Sequence, residues 1–235
     1  NWTMGDEIGS AFRDMSNPNA YNDPHTFKGN FYYTGTGDNG GVHINSGILN
    51  YWFYLLSEGG SGENDDRFSY QVTGIGLDDA ADIAYRNLTL YLLPDSRYVD
   101  AATYSIQAAG DLFGEESQQV QSTRSAWEAV GIYMDSRLIV GDTLLLFESF
   151  IGAPESGFLN LLNKGIGPLT ITELELSDPD HFTIQPPPVM PLQIEGGDSL
   201  RLEIVFTPGL EGRLGETLTI HSSDPLHPVQ TIHLS

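Results

Sequence analysis

The chain has 235 residues and a formal net charge of −22, which comes from 10 basic and 32 acidic side chains. A surface of this charge repels phosphate backbones and anionic lipid, which argues against nucleic-acid and membrane-surface partners. The sequence has no cysteine, so disulfides, thiol nucleophiles and thiolate metal sites are excluded, and no apolar run approaches the roughly 18 residues of a membrane span. The length suits two domains of ordinary size.

The first informative segment is a polar, glycine-rich loop at residues 38–47, DNGGVHINSG, which runs directly into an amphipathic stretch. Its glycines let the backbone turn tightly and approach a ligand. His43 stands just before the predicted helix, near the amides and the positive end of the helix dipole. Asp38 can fold back across the Gly-Gly turn to hydrogen-bond one imidazole nitrogen and leave the other free for a substrate. The pattern alone is weak, because a single histidine before a helix is usually an ordinary loop residue.

Helical periodicity follows this loop. Apolar residues three and four apart predict a helix over residues 45–57, with Asn45 or Ser46 as its N-cap and Gly59-Gly60 as its stop. The same pattern, punctuated by proline and glycine, predicts three further helices at residues 79–93, 98–113 and 117–133. Residues 1–135 are therefore predicted to form one mostly α-helical domain.

After residue 133 the pattern changes to short runs rich in β-forming residues, separated by Gly, Pro, Asn and Asp. The predicted strands are residues 143–147, 158–162, 169–176, 200–206 and 216–220. Strands at this spacing predict an antiparallel sandwich over residues 136–235. The three prolines at 186–188 cannot donate to a sheet ladder and must lie in a loop or at an edge. No long flexible linker separates the two halves.

The glycine-rich loop resembles the D-N-G-G-V-H-x-N-S-G motif of the thermolysin family of zinc peptidases. Residues 12–18 and 21–24 resemble the R-x-M-x-[DN]-P block that precedes this motif. Four later stretches agree in order with the family, at residues 74–76, 83–86, 108–114 and 126–131. The resemblance covers residues 2–133 and implies the family's mostly helical carboxy-terminal lobe.

The resemblance implies roles for five residues. In the family a zinc-bound water attacks the peptide carbonyl, with a glutamate as base and a histidine that donates to the oxyanion. His43 matches that donor, Asp38 would orient its ring and support the charged form, and Arg13 would hydrogen-bond the carbonyl of the substrate residue after the scissile bond. Phe12 and Met4 fall where the family lines a pocket for an apolar side chain. The alternative role for Arg13 is a structural salt bridge. The alternative role for Phe12 and Met4 is packing in the hydrophobic core.

The zinc signature H-E-x-x-H does not occur, since His25 is followed by Thr-Phe-Lys-Gly. We therefore expect the zinc ligands upstream of Asn1, and we expect this chain to be a fragment with half of an active-site cleft and no activity by itself. The start of the chain overlaps the family's calcium-binding region. Asn1 and Asp6 could supply oxygen ligands there, although Thr3 stands where an acidic residue is common.

The second half resembles Hydin-type and choice-of-anchor D immunoglobulin-like domains over residues 137–235. The similarity begins at residues 144–171 and continues through 205–208, 218–225 and 232–235. Such modules bind partners, tether or space domains, and have no catalytic residues of their own. The histidines of this half lack ligand-like spacing and are predicted to lie on the surface or in strands: His181, His221, His227 and His233.

The leading hypothesis is the carboxy-terminal part of a secreted zinc-dependent neutral endopeptidase that cleaves peptides or proteins before bulky apolar residues. The alternative is a non-catalytic binding or anchoring protein, with the helical lobe as scaffold and the β domain bound to an unknown protein or surface partner. Intact Asp38, His43 and Arg13 favour the protease, because a decayed scaffold has no reason to keep all three.

Overall fold

In a computed structural model that describes residues 1–212 and 214–235, the chain forms two compact units, Asn1–Ile132 and Tyr133–Ser235. Helices dominate the first unit and strands form the second, in the order that the sequence predicts. No helix in the described part of the chain is long and apolar enough to cross a membrane.

The first unit combines helices with two small antiparallel sheets. Its α-helices are α1 (Asp38–Asn45), α2 (Gly47–Glu58), α3 (Leu77–Arg86), α4 (Tyr98–Phe113) and α5 (Gln118–Ala129). Strand β1 (Thr3–Met4) pairs with β2 (Arg13–Asp14), and β3 (Gly60–Glu63) pairs with β4 (Ser69–Val72). Short 3-10 helices occupy Asp6–Ile8 and Pro18–Tyr21, and a π-helical turn occupies Asn87–Tyr91.

The predicted helix bounds agree best with the observed ones where a glycine ends the helix. Helix α4 has the predicted bounds, and Gly59 ends α2 with a φ of 79° and an N–H that donates to the Leu55 carbonyl at 2.8 Å. The predicted helix over 79–93 is wrong in its second half, where α3 gives way to the π-helical turn. There the buried Asn87 donates from Nδ2 to the Ala101 carbonyl at 3.0 Å, a contact with α4 that the pattern does not encode.

Two tryptophans form the centre of the helical core. The ring of Trp127 on α5 is fully buried and stacks on Trp52 of α2, with centroids 4.9 Å apart. Its indole Nε1 donates to Ser105 Oγ on α4 at 2.7 Å, so the polar edge of the ring is satisfied inside the core. This packing fixes α2, whose amino-terminal end follows the glycine-rich loop.

The second unit contains two β-sheets, and the bounds of its strands are as follows: β5 (Leu138–Val140), β6 (Leu144–Leu145), β7 (Glu155–Asn163), β8 (Leu169–Leu176), β9 (Phe182–Gln185), β10 (Leu192–Ile194), β11 (Ser199–Phe206), β12 (Glu216–Ser222) and β13 (Val229–Leu234). One sheet has the order β10-β8-β12-β13-β6 and the other β5-β7-β11-β9. Every pairing is antiparallel except that of β13 with β6. The prolines at 186–188 follow β9, which lies at a sheet edge.

The two sheets share one hydrophobic core and therefore form a β-sandwich. Alternate residues of β7, β11 and β12 point into it, and in β8 the alternation is interrupted by a bulge that places Ile171 and Leu174 three positions apart. Three aromatic rings pack together in this core. Phe182 stacks on Phe206 with ring centroids 4.7 Å apart, and Phe147 packs against both. These strands are the ones that the short β-rich runs between turn residues predict from sequence.

Candidate active site

The glycine-rich loop covers the first half of α1, where four consecutive residues have a left-handed instead of a helical backbone. From Asp38 to Gly41 the φ angles run between 47° and 86°. Aspartate, asparagine and glycine are the residue types that tolerate this region. A Cβ at Gly41 would lie 2.8 Å from both the Asn45 Nδ2 and a ring carbon of Tyr33, so this glycine is needed for space as well as for its φ of 86°. The turn brings the Asp38 carboxylate back onto the residues that follow the loop.

Asp38 holds His43 at two points. Its Oδ1 lies 2.5 Å from Nδ1 of the imidazole, and its Oδ2 accepts the backbone N–H of His43 at 2.9 Å and that of Ile44 at 3.3 Å. The hydrogen bond from His43 is the main cause that lowers the pKa of Asp38 below its ordinary value. Because Nδ1 is held by the carboxylate, Nε2 is left for another group, and the His43 side chain is 75% exposed. The structure thus contains the hydrogen bond that the loop sequence predicts.

Arg13 on β2 is tied to the same loop. Its Nη1 donates to Ser46 Oγ and its Nη2 to the backbone carbonyl of His43, both at 2.8 Å. Its Nε lies 3.8 Å from Oδ2 of Asp23, a long ion pair. Burial raises the pKa of Asp23, and the opposing effect of the guanidinium is smaller. The side chain of Arg13 is 22% exposed and keeps N–H groups beyond those used here, so binding to a substrate carbonyl and a structural ion pair are both compatible with its position.

Of the two predicted N-cap residues, Ser46 is at the N-cap position of α2, but neither side chain caps the helix. Asn45 is buried and makes two hydrogen bonds with the backbone of Tyr33. Its Oδ1 accepts from the Tyr33 N–H at 2.9 Å, and its Nδ2 donates to the Tyr33 carbonyl at 3.0 Å. Ser46 donates from Oγ to the His43 carbonyl at 2.6 Å and makes no side-chain bond to the helix. Both polar side chains therefore make their hydrogen bonds outside α2, Asn45 to Tyr33 and Ser46 to His43. The sequence shows that both residues belong to the motif, but it does not predict these partners.

Met4 and Phe12 present apolar surface beside Arg13. Met4 is opposite Arg13 in the β1–β2 pair, and the Phe12 backbone N–H donates to the Met4 carbonyl at 2.9 Å. The exposed fractions are 42% for Met4 and 56% for Phe12, so neither side chain lies in the hydrophobic core of this unit. Two exposed apolar residues are therefore neighbours of Arg13, Met4 across the strand pair and Phe12 in sequence.

Asn1 and Asp6, the possible calcium ligands, lie together but face each other as donor and acceptor. Asn1 Nδ2 donates to Asp6 Oδ2, and Asn1 Oδ1 accepts from the Thr3 N–H at 3.1 Å and the Thr3 hydroxyl at 2.7 Å. The hydrogen bond from Asn1 is also the main cause that lowers the pKa of Asp6. Calcium takes about six to eight oxygen ligands. Among residues 1–212 and 214–235, no three or more His, Asp or Glu are grouped to hold a metal ion, and Asn1 and Asp6 by themselves offer too few oxygens for calcium.

A second aspartate–histidine pair occurs in the β unit, between β8 and β9. Asp178 Oδ2 lies 2.6 Å from Nδ1 of His181, and Asp178 Oδ1 accepts the N–H groups of Asp180 and His181. This is a local turn in which the carboxylate caps the residues that follow it. The pair formed by Asp38 and His43 differs because Arg13 is bonded to its backbone.

The comparisons with known proteins concern mainly the helical unit. Residues 1–132 match the family described as thermolysin metallopeptidase, alpha-helical domain. Bacillolysin of Bacillus caldolyticus and thermolysin of Alicyclobacillus acidocaldarius subsp. acidocaldarius are each 45% identical over 138 residues, which cover 56% of this chain and 24% of theirs. Bacillolysin of Brevibacillus brevis is 43% identical over 137 residues, covering 56% and 25%. The chain therefore spans about a quarter of the length of the curated relatives it matches.

Solved structures resemble the chain more distantly. A PapD-like domain of human CEP192 aligns with a TM-score of 0.34 and 14% identity, covering 41% of this chain and 81% of that one. The E. coli chaperone DraB aligns with a TM-score of 0.32 and 20% identity, covering 42% and 53%. Similarity at this level carries no argument about function.

Proposed function

The chain belongs to the thermolysin metallopeptidase family, and from this premise we propose that it is the carboxy-terminal part of a secreted, zinc-dependent neutral endopeptidase. The longer protein cleaves peptide bonds on the amino side of bulky apolar residues. This chain supplies one side of the cleft, and the zinc ligands lie upstream of Asn1. The family match and the curated relatives support a metalloprotease, and the geometry of the loop supports the roles given to individual residues.

The observation that carries the proposal is the bonded unit of Asp38, His43 and Arg13. The imidazole is held through Nδ1 at 2.5 Å, and the guanidinium is bonded to the backbone of the same histidine at 2.8 Å. One exposed histidine and one partly exposed arginine are therefore kept close together by direct bonds. Two groups that donate hydrogen bonds, held in this way, suit the binding of neighbouring oxygens on one peptide.

Each residue then has a distinct task. His43 donates from Nε2 to the oxygen of the scissile carbonyl as negative charge develops on it. Asp38 keeps the ring oriented through its hydrogen bond to Nδ1. Arg13 binds the carbonyl of the residue after the scissile bond, while Met4 and Phe12 contact that residue's apolar side chain.

Zinc, when bound in the longer protein, supplies Lewis-acid activation of water and of the carbonyl. The described residues of this chain do not fit a metal site, so no step through the metal follows from them. The same holds for calcium, for which Asn1 and Asp6 offer too few oxygens and would need further ligands from the longer protein.

A pair of peptides tests the proposed specificity. The longer zinc-loaded protein is assayed on two peptides that differ only after the scissile bond, with Leu in one and Asp in the other. We expect cleavage before Leu, and we expect Met4→Ser to reduce the preference for Leu. Leu112→Ser is the matched control, because Leu112 has a similar exposed fraction, 40%, but lies on α4 away from Arg13 in sequence and is not assigned to the site. Failure of the zinc-loaded protein to cleave casein or either peptide would contradict the proposal.

We also propose that the β unit is an immunoglobulin-like module that binds a protein or surface partner and takes no part in catalysis. Its exposed Phe150 and Ile151, on the loop between β6 and β7, support a binding role, because solvent-facing aromatic and aliphatic side chains are common at interfaces. Deletion of residues 136–235 from the longer protein should leave cleavage of a short peptide unchanged. Lost cleavage with unchanged zinc content and circular dichroism would assign the unit a catalytic role instead.

A further inference from the structure

Ser46 is at the N-cap position of α2, but its side chain does not cap the helix. Its backbone has helical angles, with a φ of −58° and a ψ of −15°, and its side chain makes no hydrogen bond to a helix N–H. An N-cap serine usually has an extended backbone and accepts from the second or third N–H of the helix. A favourable local contact is therefore absent at this position, and such departures often mark residues that serve a site.

The hydroxyl of Ser46 is instead shared between Arg13 and His43. It accepts from Arg13 Nη1 at 2.8 Å and donates to the His43 carbonyl at 2.6 Å. The direction of both bonds follows from chemistry, since a guanidinium can only donate and a carbonyl can only accept. Arg13 Nη2 donates to the same carbonyl at 2.8 Å, which closes a ring of three hydrogen bonds.

The other candidate anchor for Arg13 is weaker. Asp23 Oδ2 lies 3.8 Å from Arg13 Nε, which is beyond hydrogen-bond distance. Among the residues that the structure describes, Ser46 provides the side-chain oxygen to which Arg13 donates. The direction of the guanidinium therefore depends on this hydroxyl and on the His43 carbonyl.

We propose that Ser46 is a positioning residue that couples Arg13 to His43. It holds the guanidinium in the direction needed for the substrate carbonyl, and it fixes the backbone of the histidine that donates to the oxyanion. The inference rests on the proposed function, in which Arg13 and His43 touch the substrate and Ser46 acts only through them.

The first test needs no enzymatic activity and uses the 235-residue chain. NMR exchange of the Arg13 guanidinium protons with water should be roughly tenfold faster in Ser46→Ala, since a hydrogen bond to a charged group is lost. Ser46→Thr keeps a hydroxyl and should restore slow exchange. Ser57→Ala is the matched control, because Ser57 Oγ donates to the Phe53 carbonyl at 2.8 Å in the same helix and does not contact Arg13. Unchanged exchange in Ser46→Ala would overturn the proposal.

The second test uses kinetics of the longer protease. Ser46→Ala should lower kcat/KM by roughly tenfold, Ser46→Thr should stay near wild type, and Ser46→Ala should add little in an Arg13→Ala background. Equal losses in both backgrounds would show a structural role and overturn the coupling. Absence of peptidase activity in the wild-type longer protein would instead defeat the proposed function, while the exchange measurement would still decide whether Ser46 positions Arg13.

Discussion

His43 Nδ1 lies 2.5 Å from Asp38 Oδ1, and the backbone N–H of His43 donates to the other oxygen of the same carboxylate at 2.9 Å. One side chain thus holds both the ring and the backbone of a residue five positions later. The left-handed turn from Asp38 to Gly41 makes this contact possible, because it folds the chain back over itself. The two residues should therefore behave as one functional unit.

Replacing His43 by Ala in the longer protease should lower kcat/KM by roughly 10² to 10³, as loss of one oxyanion donor does. Its Nε2 would interact with charge that develops mainly in the transition state, so zinc content should not change. Steady-state kinetics and metal analysis check this. His233→Ala, an exposed histidine on β13, is the control and should be silent. Loss of zinc from the His43 variant would show that its role is assigned wrongly.

Asp38→Asn should act through His43. The pKa of Asp38 lies below its ordinary value of 3.8, so the carboxylate is ionised at neutral pH, and its contribution is lost only as the pH falls through that lowered pKa. Asparagine keeps an oxygen for the imidazole N–H but removes the carboxylate charge, so kcat/KM at neutral pH should fall by roughly tenfold, as expected when a charge-assisted hydrogen bond becomes a neutral one. An unchanged kcat/KM in Asp38→Asn would argue against a role for the Asp38 charge.

The double variant of Asp38 and His43 should be little worse than His43→Ala alone. Residues that act as a unit give non-additive losses, because removal of the histidine already removes the group that the aspartate orients. The measurement is a double-mutant cycle on kcat/KM. Two fully additive losses would mean that the residues act separately.

Gly40 and Gly41 offer a matched pair for separating backbone strain from crowding. Their φ angles are 83° and 86°, but a Cβ at Gly40 meets nothing within 4 Å, whereas one at Gly41 would lie 2.8 Å from Tyr33 and Asn45. Gly40→Ala should lower the free energy of unfolding by about 1 kcal/mol, from backbone strain alone. Gly41→Ala should lower it by about 2 kcal/mol more than Gly40→Ala, because crowding adds to the strain. Denaturant unfolding measures both. Equal costs would show that the crowding at Gly41 relaxes freely.

Limited proteolysis should cut preferentially between residues 130 and 156. Within that range Val130, Ile132 and Tyr133 are buried, so we expect the cuts at residues 141–153, where Phe150 is 88% exposed. Chymotrypsin digestion followed by mass spectrometry locates them. Early cleavage inside α2, where Leu55 and Leu56 are buried, would contradict the proposed domains 1–135 and 136–235.

The 235-residue chain by itself should neither bind zinc tightly nor hydrolyse casein. Donor side chains without a metal and a base have no developing oxyanion to stabilise. Metal analysis of the purified chain and a casein assay test this together. One zinc per chain accompanied by hydrolysis would overturn it.

The sequence by itself determines where long periodic helices lie and which contacts form between residues a few positions apart. Helix α4 has the predicted bounds because its apolar spacing is regular and Gly114 ends it. The contact between Asp38 and His43 is predictable because both residues lie in one short loop whose glycines allow the turn. The change from helical periodicity to short β-rich runs after residue 133 likewise follows from the sequence, because the two kinds of element differ in residue preference and length.

Only the tertiary structure decides where side chains with several possible partners make their bonds. The sequence favours Asn45 or Ser46 as a helix cap, but Asn45 bonds to Tyr33, and Ser46 bonds to Arg13, which lies 33 positions earlier in the chain. The π-helical turn after α3 and the three-residue strands β5 and β10 are likewise decided by packing against distant elements. Short-range patterns cannot encode these outcomes, because the competing local and long-range contacts differ by about 1 kcal/mol and folding decides between them.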